Sequence, residues 1–329
     1  MNREIDPMES QGSDSLSHND SAQPSPSQDT AIGADTDNAG TEGVKRKNGR
    51  YGEGARLPME HIGALDLSTV SSSRQERLDL FPPAFVAKVV EATGGDNAPA
   101  WPRFKSCLAM LFIARSGSSF LSKELEQYYN IGKMGEHLNK HDKIKSGAIQ
   151  ARFAKRQTDR WFSFKGGYRG VTAAEVTGLM DQTLSRTYFL RLLRRDAVAQ
   201  AVSMVKAQQS QQWDKTEPKK ADPEYNLAHL EYAVARIVSG AEVLRVYAAR
   251  TGRPSQKVIY EDVSGGDLTT ALAACDALGI PRRRRPPTTV RTIERMPREG
   301  AEEWGERFKV EMGPKTREWL DKYQEVLAR

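Results

Sequence analysis

Apolar residues in this chain gather into short uninterrupted runs. Cys107-Leu108-Ala109-Met110-Leu111-Phe112-Ile113 has the length and texture of a strand buried on both faces. It stops at Arg115-Ser116-Gly117-Ser118-Ser119, after which Phe120, Leu121, Leu125 and Tyr128 recur at helical spacing. Thr187-Tyr188-Phe189-Leu190-Arg191-Leu192-Leu193 predicts a second strand, ended by Arg194-Arg195-Asp196. Val198, Ala201, Val202 and Val205 then mark one face of a helix running to about Trp213. Lys257-Val258-Ile259-Tyr260 is a third strand, closed by Glu261-Asp262, and the helix over Leu268–Leu278 is stopped by Gly279 and Pro281. Trp161–Lys165 reads as a shorter strand, 224–250 as a long amphipathic helix, and Ala84–Ala92 as a short helix after Pro82-Pro83. Strands alternating with helices predict an α/β fold with a central parallel sheet flanked by helices. In such sheets a ligand lies at the carboxyl ends of the strands.

Charge changes the picture at the N-terminus. The 329 residues carry 49 Lys+Arg against 43 Asp+Glu, a net charge of +6. Residues 1–44 hold nine carboxylates and one Arg, so the remainder is strongly basic. That acidic stretch has no aromatic residue and cannot offset its chain entropy by burial. Residues 1–76 are therefore expected to be a disordered acidic tail and linker, with the folded domain over 77–329. A basic cluster, Lys45-Arg46-Lys47 with Arg50, reads as a solvated part of that linker. Two cysteines, Cys107 and Cys275, cannot build a disulfide framework or a Cys-rich zinc site. No transmembrane run of about 18 apolar residues and no signal-peptide core are present, so a reducing, cytoplasmic setting is expected.

Candidate chemistry falls at the strand ends. Gly117 permits a tight turn and close approach, while a helix N-terminus offers free N–H groups and partial positive charge. Ser116, Ser118 and Ser119 add hydroxyls and Arg115 a full charge, which together suit an anion. An ordinary Ser-capped turn would use the same residues. The triphosphate-binding pattern G-x-x-x-x-G-K-[ST] is absent, which argues against an ATPase or kinase. His137 and His141 stand four apart, but no third metal ligand is evident and no metal is expected. Arg282-Arg283-Arg284-Arg285, bounded by Pro281 and Pro286-Pro287, reads as a solvated loop.

Taken in order, these segments resemble the sulfotransferases that use 3′-phosphoadenosine 5′-phosphosulfate (PAPS). Arg115-Ser116-Gly117-Ser118-Ser119 is similar to their 5′-phosphosulfate loop. Arg194 through Ser203 is similar to their 3′-phosphate motif, in a form typical of the bacterial carbohydrate branch, which contains trehalose 2-sulfotransferase and nodulation-factor sulfotransferases. Gly135-Glu136-His137-Leu138-Asn139 and Tyr260-Glu261-Asp262 resemble two further segments of that branch. The resemblance covers about 105–310.

It implies a P-loop NTPase-like sulfotransferase fold and PAPS as donor. Arg115 and the 116–119 loop would hold the phosphosulfate, and Arg194 or Arg195 with Ser203 the 3′-phosphate. Glu136 would be the general base for an acceptor hydroxyl on a carbohydrate or glycolipid. Lys165 would be the strand-end cation near the transferred group, and Glu294-Arg295 part of a nucleotide-contacting loop. Relatives are often dimers. The competing readings are a P-loop-like nucleotide kinase, and a nucleic-acid-binding protein using 45–50 and 282–285. The second leaves the strand-end motifs without a role, so no nucleic-acid partner is expected.

Overall fold

A computed structural model describes residues 73–155, 161–213, 217–284 and 300–329. All of these belong to one compact unit spanning 49–329. The acidic stretch, the basic cluster at 45–50, Arg285, Glu294 and Arg295 lie outside the described residues.

Four strands form the sheet: β1 (Ser106–Phe112), β2 (Trp161–Gly166), β3 (Thr187–Leu193) and β4 (Ser255–Ile259). Every pairing is parallel and the order is β2-β1-β3-β4. The expected parallel α/β sheet flanked by helices is thus observed. Its central strand, β1, is buried at every position. Cys107, Ala109 and Leu111 face one layer of helices, and Leu108, Met110 and Phe112 face the other. This is why the run is continuously apolar.

The helices in chain order are α1 (Arg74–Leu78), α2 (Pro83–Thr93), α3 (Ser118–Tyr128), α4 (His141–Lys145), α5 (Ala148–Lys155), α6 (Tyr168–Val176) and α7 (Leu179–Thr183). They continue with α8 (Ala197–Ser210), α9 (Leu227–Arg250), α10 (Tyr260–Ser264), α11 (Thr269–Ala277), α12 (Ala301–Glu311) and α13 (Pro314–Ala328). α3 and α11 pack on the face holding Leu108 and Met110. α6, α8, α9 and α13 pack on the other face. The helix after β1 and the helix after β3 therefore lie on opposite sides of the sheet. That opens a crevice at the carboxyl ends of β1 and β3, the switch point where α/β sheets bind ligands.

Two local expectations are corrected. Glu261-Asp262 is not a turn closing β4, because α10 begins at once at Tyr260. The helix after β3 ends at Ser210, capped by Gln211 in the left-handed region (φ 55°), rather than running to Trp213. At the N-terminal side, α1 begins at Arg74, three residues before the expected domain start. Both cysteines are free and buried, and burial pushes their thiols up to about 12.

Candidate active site

The loop after β1 turns twice through the left-handed region, at Arg115 (φ 68°) and at Gly117 (φ 87°). Gly117 needs that freedom, since a Cβ there would collide with the ring of Tyr260. Arg115 holds the same geometry with a side chain, a sparsely populated conformation that clusters at ligand sites. Gly117 then caps α3, whose first turn leaves N–H groups without intrahelical partners. The Ser116 hydroxyl is buried and has no hydrogen-bond partner. Ser118 is also buried.

β2 brings Lys165 beside this loop, because Lys165 pairs in register with Met110 of β1. Its ammonium donates to Ser119 Oγ at 2.8 Å and lies 3.8 Å from Glu136 Oε1. Burial lowers the Lys165 pKa, opposed by the charges of Glu136 and Glu126. Glu136 is half-exposed, and its other oxygen accepts from Asn139 Nδ2 at 2.9 Å. The segment carrying it is pinned on both sides. Glu126 Oε1 accepts the Met134 N–H at 2.7 Å, and the Gly135 carbonyl accepts the Lys165 N–H at 3.1 Å.

At the end of β3 the two adjacent arginines part. The Arg194 guanidinium is enclosed: it faces the Tyr260 ring at 5.4 Å, the Arg115 carbonyl at 3.5 Å and Glu261 at 3.6 Å. The Arg195 guanidinium is exposed and contacts both carboxylate oxygens of Asp262, at 2.7 and 2.9 Å. Glu261 Oε2 accepts the Arg195 backbone N–H at 2.9 Å. Ser203 lies on α8, and its Oγ accepts from Arg115 Nε at 2.9 Å. Arg115 Nη1 donates to the Trp213 carbonyl at 2.6 Å. The two ends expected as separate anion sites are thus linked through Arg115, whose side chain reaches across to α8.

The structure therefore brings together Arg115, Ser116, Gly117, Ser118, Ser119, Lys165 and Glu136 around β1 and β2, and Arg194, Arg195 and Ser203 around β3. Arg295 lies outside the described residues. Two supporting groups, Glu126 and the Trp213 carbonyl, were not singled out from the sequence, and Gln200 stands within the Arg194–Ser203 motif without a role assigned to it there. Gln200 is buried, and its Nε2 donates to the Ala114 carbonyl at 2.9 Å, holding the end of β1. A polar residue on the apolar face of a helix was the available signal for Gln200.

His137 is not free to meet a ligand. Its Nε2 contacts the Lys133 carbonyl and its Nδ1 the Arg152 guanidinium, each at 3.0 Å, which fixes a neutral ring. Burial lowers it to about 4, with the nearby cations acting the same way. Among the described residues no group of three or more His, Cys, Asp or Glu is placed to hold a metal ion. A cleft of about 570 Å³ lined by Trp101, Arg103, Phe104, Gln182 and Arg186 opens at the other, amino edge of the sheet. None of the strand-end motifs reaches it.

Residues 168–311 match the family model described as Stf0 sulphotransferase. The matched stretch includes β3, Arg194, Arg195, Ser203 and Tyr260-Glu261-Asp262; the 115–119 loop, Glu136 and Lys165 precede it. No curated protein matches the chain. The family match bears out the resemblance to bacterial carbohydrate sulfotransferases and supports sulfotransferase activity, and the parallel sheet is consistent with a sulfotransferase fold.

Proposed function

With that family match as premise, we propose that the chain moves a sulfuryl group from PAPS to a hydroxyl of a carbohydrate or glycolipid. The observation that carries this reading is the convergence on Lys165. Its ammonium joins the anion loop, through Ser119, to the carboxylate of Glu136. A donor-binding loop, a cation and a base thus lie within one reach, from three separate segments of the chain.

The residues present fit a nucleotide that is anionic at both ends. The partnerless Ser116 hydroxyl and the first turn of α3 supply donors for the phosphosulfate end. The exposed guanidinium of Arg195, with Ser203, serves the 3′-phosphate. The enclosed Arg194 donates to the carbonyl of Arg115, at the left-handed turn of the loop. PAPS supplies the activated sulfuryl group; the chain supplies placement and charge. Lys165, beside Ser119, offsets the negative charge that gathers on the 5′-phosphate as the sulfuryl group leaves, and its charge is worth more for being buried. Glu136 accepts the proton of the attacking hydroxyl.

Calorimetric titration with adenosine 3′,5′-bisphosphate, against ATP with Mg²⁺, tests the donor. Selective binding of the bisphosphate is expected, and preference for ATP would return the kinase reading. Glu136→Gln is expected to keep bisphosphate affinity within about twofold and to lower kcat by about 100-fold or more. Full turnover in that variant would remove Glu136 as the base.

A further inference from the structure

Arg115, Arg194 and Arg195, at the carboxyl ends of β1 and β3, are each engaged by an acceptor that the chain itself provides. Arg115 is held by Ser203 and the Trp213 carbonyl. Arg194 faces the Arg115 carbonyl and Glu261. Arg195 is held by Asp262, with one guanidinium nitrogen between both carboxylate oxygens. A nucleotide phosphate reaching this edge must displace or share these acceptors.

Asp262 differs from the rest in how weakly its partner is committed. The Arg195 and Asp262 side chains are 55 % and 43 % exposed, whereas Arg194 is 12 % exposed. Exposed ion pairs contribute little and exchange readily. A carboxylate also mimics one face of a phosphate, and here both its oxygens take up Nη2, a donor that a phosphate would use. Once a phosphate is bound to Arg195, the Asp262 carboxylate stands close to a group of like charge.

We propose that Asp262 is an internal competitor for the donor's phosphate. It occupies Arg195 between turnovers, weakens nucleotide binding and speeds release of the desulfated nucleotide. This rests on the donor reading above. The sign of the effect separates it from a supporting role. A carboxylate that merely oriented Arg195 would weaken binding when removed, whereas a competitor strengthens it.

The test is calorimetry of adenosine 3′,5′-bisphosphate with four full-length proteins: the parent, Asp262→Asn, Arg195→Ala and the double variant. The proposal expects Asp262→Asn to bind about three- to tenfold tighter, with dissociation slowed to match in stopped-flow. It expects that gain to vanish in the Arg195→Ala background, the signature of a direct coupling. Parent protein that binds the bisphosphate, with Asp262→Asn binding equally or more weakly, would overturn the proposal and leave the donor reading intact. A gain that survives without Arg195 would overturn it too. No binding by the parent would defeat the donor reading itself. Asp262→Ala serves as a second variant, expected to shift affinity in the same direction.

Discussion

Lys165 is the residue on which the site turns, and its burial gives it a measurable signature. Its pKa is lowered from the ordinary lysine value of 10.5, first by burial, with Glu136 and Glu126 pulling the other way. A group needed as an ammonium is lost as pH rises through that lowered pKa. Transfer should therefore fall on the alkaline side, below the range where a free lysine titrates. Lys165→Arg keeps its charge throughout, so the expected outcome is reduced activity with the alkaline limb moved upward or gone. Lys165→Ala should lower kcat by about 100-fold or more. A Lys165→Arg profile with the limb unchanged would assign it to another group. The serine loop was legible from the pattern itself, a polar turn between an apolar run and a helical repeat, whereas Glu136 and Lys165 stood out only through the resemblance of their segments to the sulfotransferases. The conformation of Arg115 was not, since a positive φ at a side-chain-bearing residue leaves no trace in composition. Gln200 and Glu126 act through contacts with distant backbone, and periodicity does not encode those.

Short helices set the limit on what was legible at the level of elements. The four strands and the long helices α8 and α9 follow directly from apolar runs and helical periodicity. α4, α6 and α7 are five, nine and five residues long and have no side-chain cap hydrogen bond. A stretch of one or two turns carries too few repeats to declare itself, and tertiary packing decides its conformation. α1 is shorter still in apolar signal, yet it is fastened by a buried ion pair. Arg77 Nε and Nη2 donate to the two oxygens of Glu175 on α6 at 2.7 and 2.8 Å, and Tyr247 of α9 donates to Glu175 Oε1 at 2.6 Å. All three side chains are buried. Arg77→Met should cost about 3–5 kcal/mol in urea denaturation, because it strands a carboxylate without its partner. Adding Glu175→Gln should recover part of that loss, since the amide oxygen still accepts from Tyr247. Equal stability of Arg77→Met and the parent would show that α1 is not fastened through this pair.

For the molecule as a whole, the segment between α3 and β2 makes folding sensitive to acid. It buries His137 and His141, 5 % and 7 % exposed, beside the site. Burial lowers each from the ordinary 6.5 to about 4, with Arg152, Lys140 and Lys133 adding to the effect at His137 and Arg169 at His141. Above 6.5 both rings are neutral in the folded and unfolded chain, and the full stability is present. As pH falls below 6.5 the unfolded chain takes up protons that the folded chain refuses, so stability declines. The decline levels off near 4, where the folded rings accept protons as well. Each histidine accounts for at most about 3 kcal/mol over that window. His141 Nε2 has no hydrogen-bond partner, so His141→Gln forfeits less than a change at His137. Urea midpoints measured at about pH 7.5 and about pH 5 should fall in the parent, and the fall should shrink by roughly half in His141→Gln. A parent midpoint that is flat across this range would mean that the rings are open to protons in the folded state. The segment holding Glu136 would then be looser than its contacts imply, and the geometry that joins Glu136 to Lys165 would have to form on ligand binding instead of beforehand.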